Sequence, residues 1–314
     1  MTDLLHETPD NPIPAGGHAE MLTMADGRRL RCARFASQGR PLKGTVILVP
    51  GRNECIEKYF ETISDLSDRG FGTATFDLRG QGGSDRLLRD PQRGYVDDFM
   101  EYVSDLEPFF EQVVLPDCRG PYYVLAHSTG ALVALMASPL MTNRVQRMVL
   151  TSPLLGFAGT SLASARRVAT FYCAVGLGTR YLGGGPRTAE PSPFAGNTLT
   201  SDPVRYARNA GIYRLYPELG LGGPTATWIR AATLAIEYVN NPESMAALHV
   251  PMLIVAAGAD KVVDTRATEA FASRLRIGSM VVIDGARHEI LQEADFYREQ
   301  FFAAFDAFIP GTER

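Results

Sequence analysis

The sequence predicts a doubly wound α/β fold on three observations. Short apolar, β-branched runs alternate with longer amphipathic segments along most of the chain. The alternation lapses once, across residues 154–247, and then resumes, so one sheet brackets an insertion. Finally, 314 residues with 45% hydrophobic and 21% charged side chains are enough for one large core plus an inserted region.

Taken in order, residues 1–18 form a polar arm that reads as loose, with prolines and acids where a packed element would carry apolar residues. AEMLTM and RRLRCARF flank Asp26 and Gly27, a pair that supplies the positive φ of a two-residue primed hairpin turn. Strand-like TVILVP then precedes helical CIEKYFETISDLSDRG, and GTATFDL precedes YVDDFMEYVSDLEPFFEQVVL. YYVLAHS precedes TGALVALMAS, and RMVLTSPL closes this half. Each apolar strand must be covered on both faces, which right-handed crossovers to a mostly parallel sheet achieve. Residues 154–247 are rich in glycine, proline and arginine, carry no strand-like run, and are expected to be a mostly helical insertion after the sixth strand. Strand VPMLIVAAGAD, helix TRATEAFASRL, strand SMVVIDGA and helix ADFYREQFFAAFDAFI complete the core, which thus comprises residues 19–153 and 248–314.

A formal charge of −4 with basic and acidic residues interspersed argues against a nucleic-acid partner. The amino terminus lacks the basic and apolar regions of a secretory leader, and no run approaches the roughly 18 apolar residues of a membrane span. Cys32, Cys55, Cys118 and Cys173 lie far apart, without zinc-ligand spacing, and are expected to be reduced structural thiols. These features together point to a cytoplasmic protein.

The most informative segment is Val124–Gly130, where a buried strand runs directly into Ser128 and then into a helix. A serine on so sharp a turn needs small residues two positions before and after it, and Ala126 and Gly130 meet that need. Taken alone, the serine could equally cap the helix. As a nucleophile it would find an oxyanion donor in the Thr129 N–H, at the helix amino terminus. The second donor is expected from the loop Pro50–Glu54, where Gly51 permits close approach and the Arg52 N–H is the candidate. The same loop also reads as an ordinary turn in which Asn53 or Glu54 caps the next helix.

A nucleophilic serine needs a base and an orienting acid. His6 and His18 fall in the arm, His127 is beside the serine, and His249 precedes a strand. His288 alone follows the last strand, at the carboxyl edge of the sheet where open α/β proteins bind ligands. Asp260 ends the preceding strand on that edge; Asp264 and Asp284 are its rivals, the former equally suited to capping a helix. Ser128 would attack an ester carbonyl, His288 would take its proton, and Asp260 would hold the imidazole, with no metal or organic cofactor required.

The order Ser, Asp, His is that of the α/β-hydrolases. PGRNECIEKYFE, FDLRGQGGSDR, the AHSTG elbow, TSPL, AGADKVVD and GARHEILQE together resemble the bacterial lysophospholipase and monoacylglycerol lipase branch of that superfamily. The resemblance implies an α/β-hydrolase fold with an eight-stranded, mostly parallel sheet, and an insertion acting as a cap over an acyl pocket. It departs at Pro50-Gly51, where relatives often carry His-Gly. Arg79 and Gly80 to Gly83 match a loop of these relatives and read as structural, with Asp77 or Asp85 available to arginine. The substrate expected is a lipid ester or small-molecule ester. AVGL and FYCAV in the cap, with Arg166, Arg167, Arg180 and Arg187, would suit peripheral contact with a membrane, and equally suit a cap whose apolar residues pack on the sheet while its arginines are solvated. The competing readings are a general carboxylesterase, thioesterase or lactonase with the same triad, and a hydrolase-fold ligand-binding protein.

Overall fold

The computed structural model describes residues 4–188 and 193–310. Its strands are β1 (Gly17–Thr23), β2 (Arg29–Phe35), β3 (Gly44–Val49), β4 (Phe71–Phe76), β5 (Tyr122–His127), β6 (Val145–Thr151), β7 (Met252–Ala257) and β8 (Gly278–Ile283). They form one eight-stranded sheet in the order β1-β2-β4-β3-β5-β6-β7-β8. Only the pairings of β2 with β1 and with β4 are antiparallel; the others are parallel. Every residue of β3 and β7 is buried, as continuous apolar runs must be when helices cover both faces.

The helices are α1 (Phe60–Asp68), α2 (Met100–Phe109), α3 (Leu115–Asp117), α4 (Thr129–Met141), α5 (Leu162–Ala174), α6 (Pro203–Leu215), α7 (Ala226–Asn240), α8 (Pro242–Ala246), α9 (Thr265–Ala272) and α10 (Asp295–Phe308). One apolar cluster joins α2, α4, α7 and α9 to the sheet, and a second joins α1 and α10 to it. Helix α4 is buried from Thr129 to Ser138 without an exposed face, because the sheet, α2 and α7 enclose it. The expected insertion contains α5 to α8. Asp202 caps α6 ahead of Pro203, and Thr225 caps α7, so short polar residues set where these helices begin.

Two expectations about the amino-terminal region are corrected. The hairpin loop has three residues, Ala25 to Gly27, closed by Met24 N–H to Arg28 O (2.7 Å) and Gly27 N–H to Met24 O (2.9 Å). Gly27 alone of them takes a positive φ, +81°, as a type I turn followed by a left-handed residue requires. The arm is also packed: Leu5 is buried with Phe60 and Ile63, and Asn11 donates to Glu57 O (2.8 Å). His18 lies within β1, opposite Arg34.

What recruits the arm is a charge in the core. Arg31 in β2 is buried and donates to both carboxylate oxygens of Glu57 (2.7 Å each), to Asp77 (2.7 Å) and to Leu4 O (2.8 Å). Asp77 also accepts from Ile56 N–H and Gly83 N–H, and a side chain at Gly82 would strike its carboxylate at 2.3 Å. Arg79 pairs with Asp105, Asp26 and Glu101, while Asp85 pairs with Arg29, so this loop has the structural role expected of it. All four cysteines are free thiols. Among the described residues, no helix is long and apolar enough to cross a membrane.

Candidate active site

Ser128 sits between β5 and α4 with φ +53° and ψ −114°, a conformation that side chains rarely adopt. It is pinned from both sides: its N–H donates to Thr151 O (2.9 Å), and its carbonyl accepts from Leu154 N–H (3.1 Å). A β-carbon at Gly130 would lie 2.4 Å from the carbonyl oxygens of Val49 and Pro50, which explains the glycine two residues after the serine. The bond to Thr151 takes up the Ser128 N–H. Thr129 opens α4 and has no carbonyl one turn earlier to accept its own N–H.

The strand ends bring the remaining predicted side chains to this point. His288 Nε2 lies 3.0 Å from Ser128 Oγ, and His288 Nδ1 lies 2.8 Å from Asp260 Oδ2. The other oxygen of Asp260 accepts from Val262 N–H (2.7 Å) and Val263 N–H (3.0 Å). Burial alone would raise the Asp260 pKa, but the His288 hydrogen bond, the ring's charge and these N–H groups outweigh it and hold the carboxyl below its usual range. Asp264 caps α9 through Arg266 N–H (3.0 Å). Asp284 follows β8, while Asp260 is the residue bonded to His288.

The loop Pro50–Glu54 lies alongside. Gly51, Arg52, Ser128, Thr129 and His288 line one cavity of ≈ 980 Å³. A side chain at Gly51 would meet Glu54 Oε2 at 2.8 Å and His127 at 3.1 Å. The capping alternative for this loop is not what the structure shows. The short 3₁₀ turn Ile56–Tyr59 has no side-chain cap, and Asn53, at φ +59°, instead accepts from Leu221 N–H (2.9 Å) in the insertion.

Glu54 joins a buried cluster that composition did not reveal. Its carboxylate accepts from Gly51 N–H, from Tyr59 Oη and from Lys58 Nζ (2.7 Å), and Lys58 also donates to Glu289 (2.6 Å). Burial would raise Glu54, but the Lys58 charge and the hydrogen bonds hold it at about 2. The signal available in sequence was the spacing of Glu54 and Lys58, one helical turn apart, with Glu289 next to His288. His127 is buried too, its Nδ1 3.1 Å from Thr151 Oγ1 and its ring 4.8 Å from that of His288. Burial pushes its pKa down to about 4, so it is a neutral neighbour to the His288 imidazole.

Above these groups the insertion supplies Leu154, Phe157, Val168, Leu182 and Ile229, while Val262 and Val263 complete an apolar wall. A reactive hydroxyl, a base within hydrogen-bond reach, an orienting carboxylate and an apolar cavity together suit acyl transfer.

Residues 40–295 match the Hydrolase_4 family, described as serine aminopeptidase, S33. The chain is 35% identical over 292 residues to lysophospholipase L2 of Escherichia coli strain K12, covering 88% of this chain and 82% of that one. It is 31% identical over 264 residues to a probable lysophospholipase L2 of Haemophilus influenzae, covering 84% and 83%. The fold is similar to that of a soluble variant of monoglyceride lipase from Saccharomyces cerevisiae, with a TM-score of 0.74 at 18% identity over 99% of both chains. The chain therefore belongs to the serine aminopeptidase S33 family of α/β-hydrolases.

Proposed function

We propose that this carboxylic ester hydrolase, of the lysophospholipase and monoacylglycerol lipase type, cleaves single-chain lipid esters with Ser128 as nucleophile, His288 as general base and Asp260 as the orienting acid. The observation that carries the reading is the continuous hydrogen-bonded relay from Asp260 through His288 to the Ser128 hydroxyl at the floor of an apolar cavity. His288 Nε2 takes the hydroxyl proton as Oγ attacks the ester carbonyl, and the Arg52 and Thr129 N–H groups stabilise the oxyanion. The tetrahedral species collapses to an acyl-enzyme as the protonated imidazole gives its proton to the departing alcohol. Water, deprotonated by the same ring, then releases the fatty acid and restores Ser128.

Family membership and the lysophospholipase L2 relatives support a lipid ester as substrate. The cavity supports one acyl chain, since its wall includes a run of apolar side chains beside Ser128. The reading also places residues 154–247 as a cap over the pocket, resting against lipid. Helix α5 and the turn after it leave Val168, Phe171, Val175 and Leu177 exposed, and Val168 lines the cavity as well, so the apolar strip continues from the pocket rim to the surface.

The test is a panel of esters differing in acyl length and leaving alcohol. The expected result is that kcat/KM for lysophospholipids and monoacylglycerols rises with chain length and exceeds that for acetate and butyrate esters. Activity confined to the short esters would favour a general carboxylesterase.

A further inference from the structure

Two cations in the cavity wall have no counter-charge, and they say what sort of alcohol it accepts. The buried cations among the described residues are paired: Arg31 with Glu57 and Asp77, Lys58 with Glu54 and Glu289, Arg79 with Asp105, and Arg298 with Glu61 and Asp65. Such pairing is the rule because an unpaired buried charge is costly. Arg52 breaks it. Its guanidinium stacks 5.7 Å from the centre of the Trp228 ring and donates from Nη1 to Gly222 O (2.8 Å). Among the described residues no carboxylate pairs with it; Tyr102 is the one ionisable group acting on it. Burial lowers its pKa only to about 10, so it stays charged at neutral pH.

Arg187 is the second such cation. Its guanidinium lies 4.0 Å from the centre of the Tyr213 ring, and among the described residues it too has no carboxylate partner. Both arginines line the cavity, and one glycine-rich stretch touches both. Gly222 holds Arg52 through its carbonyl, and a side chain on Gly220 would come within 2.9 Å of Arg187 Cδ. Glu54 and Glu289 line the same cavity but share the Lys58 charge between them.

The Arg52 backbone is the proposed oxyanion donor, so its side chain starts at the scissile carbonyl. A planar guanidinium offers an acyl chain nothing, but it matches phosphate oxygens in charge and geometry. We propose that Arg52 and Arg187 form an anion subsite for a phosphate carried on the leaving alcohol, so that the pocket selects acyl esters of glycerol phosphate over neutral glycerides. The selectivity rests on the hydrolase reading above; the subsite as a binding site does not.

Trp228 is the chain's one tryptophan and lies under Arg52, so its fluorescence reports occupancy independently of catalysis. Titration with sn-glycerol 3-phosphate should give a saturable change that glycerol does not, and Arg52→Gln and Arg187→Gln should each abolish it. Turnover is then compared on 1-oleoylglycerol, 1-oleoylglycerol 3-phosphate and the ethanolamine diester of the latter. Each variant should lower the ratio of phosphate-ester to neutral-ester kcat/KM by about ten- to a hundredfold, the range for charge-assisted hydrogen bonds. Which phosphate ester suffers more tells whether the subsite prefers a free phosphate or a headgroup diester. Arg86 holds the same glycine stretch through Glu218 O and Gly220 O without lining the cavity, so Arg86→Gln should leave the ratio as in the wild type. The proposal is overturned if glycerol 3-phosphate gives no saturable response, or if both arginine variants lower neutral and phosphate esters in parallel. Saturable binding with no ester turned over would instead sink the hydrolase reading and leave the subsite standing.

Discussion

Asp260 and His127 flank His288 and act on it in opposite ways. Asp260 is an anion bonded to Nδ1, fixing the tautomer whose bare Nε2 faces Ser128. Replacing it by Asn keeps the shape but offers an amide that favours the other tautomer, and Asp260→Asn should lower kcat on the order of 10⁴-fold with little change in the unfolding midpoint. His127 must instead stay uncharged next to the imidazolium that the proposed mechanism forms on His288. Its folded pKa is near 4 against an ordinary 6.5, so between those values the unfolded chain binds a proton that the folded chain refuses. Its contribution to stability is therefore present above pH 6.5 and is lost as pH falls toward 4. Urea unfolding should show a weaker pH dependence in this window for His127→Gln than for the wild type; an unchanged slope would show that His127 does not cause it. The relay residues were legible in sequence because each lies in the segment that follows a strand at one sheet edge and has the right chemistry for its place. Glu54, Lys58 and Glu289 were not, since charged residues read as surface until a structure shows which acids and bases share an interior.

At the scale of elements, the strand and helix succession was readable from periodicity, and the elbow from the small residues around Ser128. Asp26-Gly27 signals a hairpin but is compatible with either of two loop lengths, and the longer one formed. The arm differs from its expectation for a physical reason: its polar composition hides that Leu5 is buried, while Leu4 O and Asn11 serve the cluster around Arg31 and Glu57. Strand β2 thereby carries a buried arginine that an alternating pattern cannot distinguish from a solvent-facing one. Because Arg31 depends on two carboxylates, removing one strands a charge in the core. Glu57→Ala should destabilise the protein by about 3–5 kcal/mol in chemical denaturation and loosen residues 4–11 to proteolysis. A change below 1 kcal/mol would mean that Asp77 alone suffices.

Across the whole molecule, one sheet edge gathers Ser128, Asp260 and His288, and the helices between β6 and β7 close over them. The sequence marked this insertion by its lapse in periodicity, but not the direction its apolar residues would face, which depends on how α5 packs against α7. Phe171, at 62% exposure, is the most exposed of the apolar strip, so Phe171→Glu should lower co-sedimentation with anionic phospholipid vesicles by about tenfold without altering hydrolysis of a soluble short-chain ester. Equal sedimentation of variant and wild type would remove lipid contact from the account. The central claim, that Asp260 and His288 activate the hydroxyl of Ser128, is tested most directly by reacting the folded protein with a low concentration of a fluorophosphonate and locating the adduct by peptide mass spectrometry. The account predicts stoichiometric labelling of Ser128 that falls steeply in a folded His288→Ala variant; an unlabelled Ser128, or labelling indifferent to His288, would contradict it.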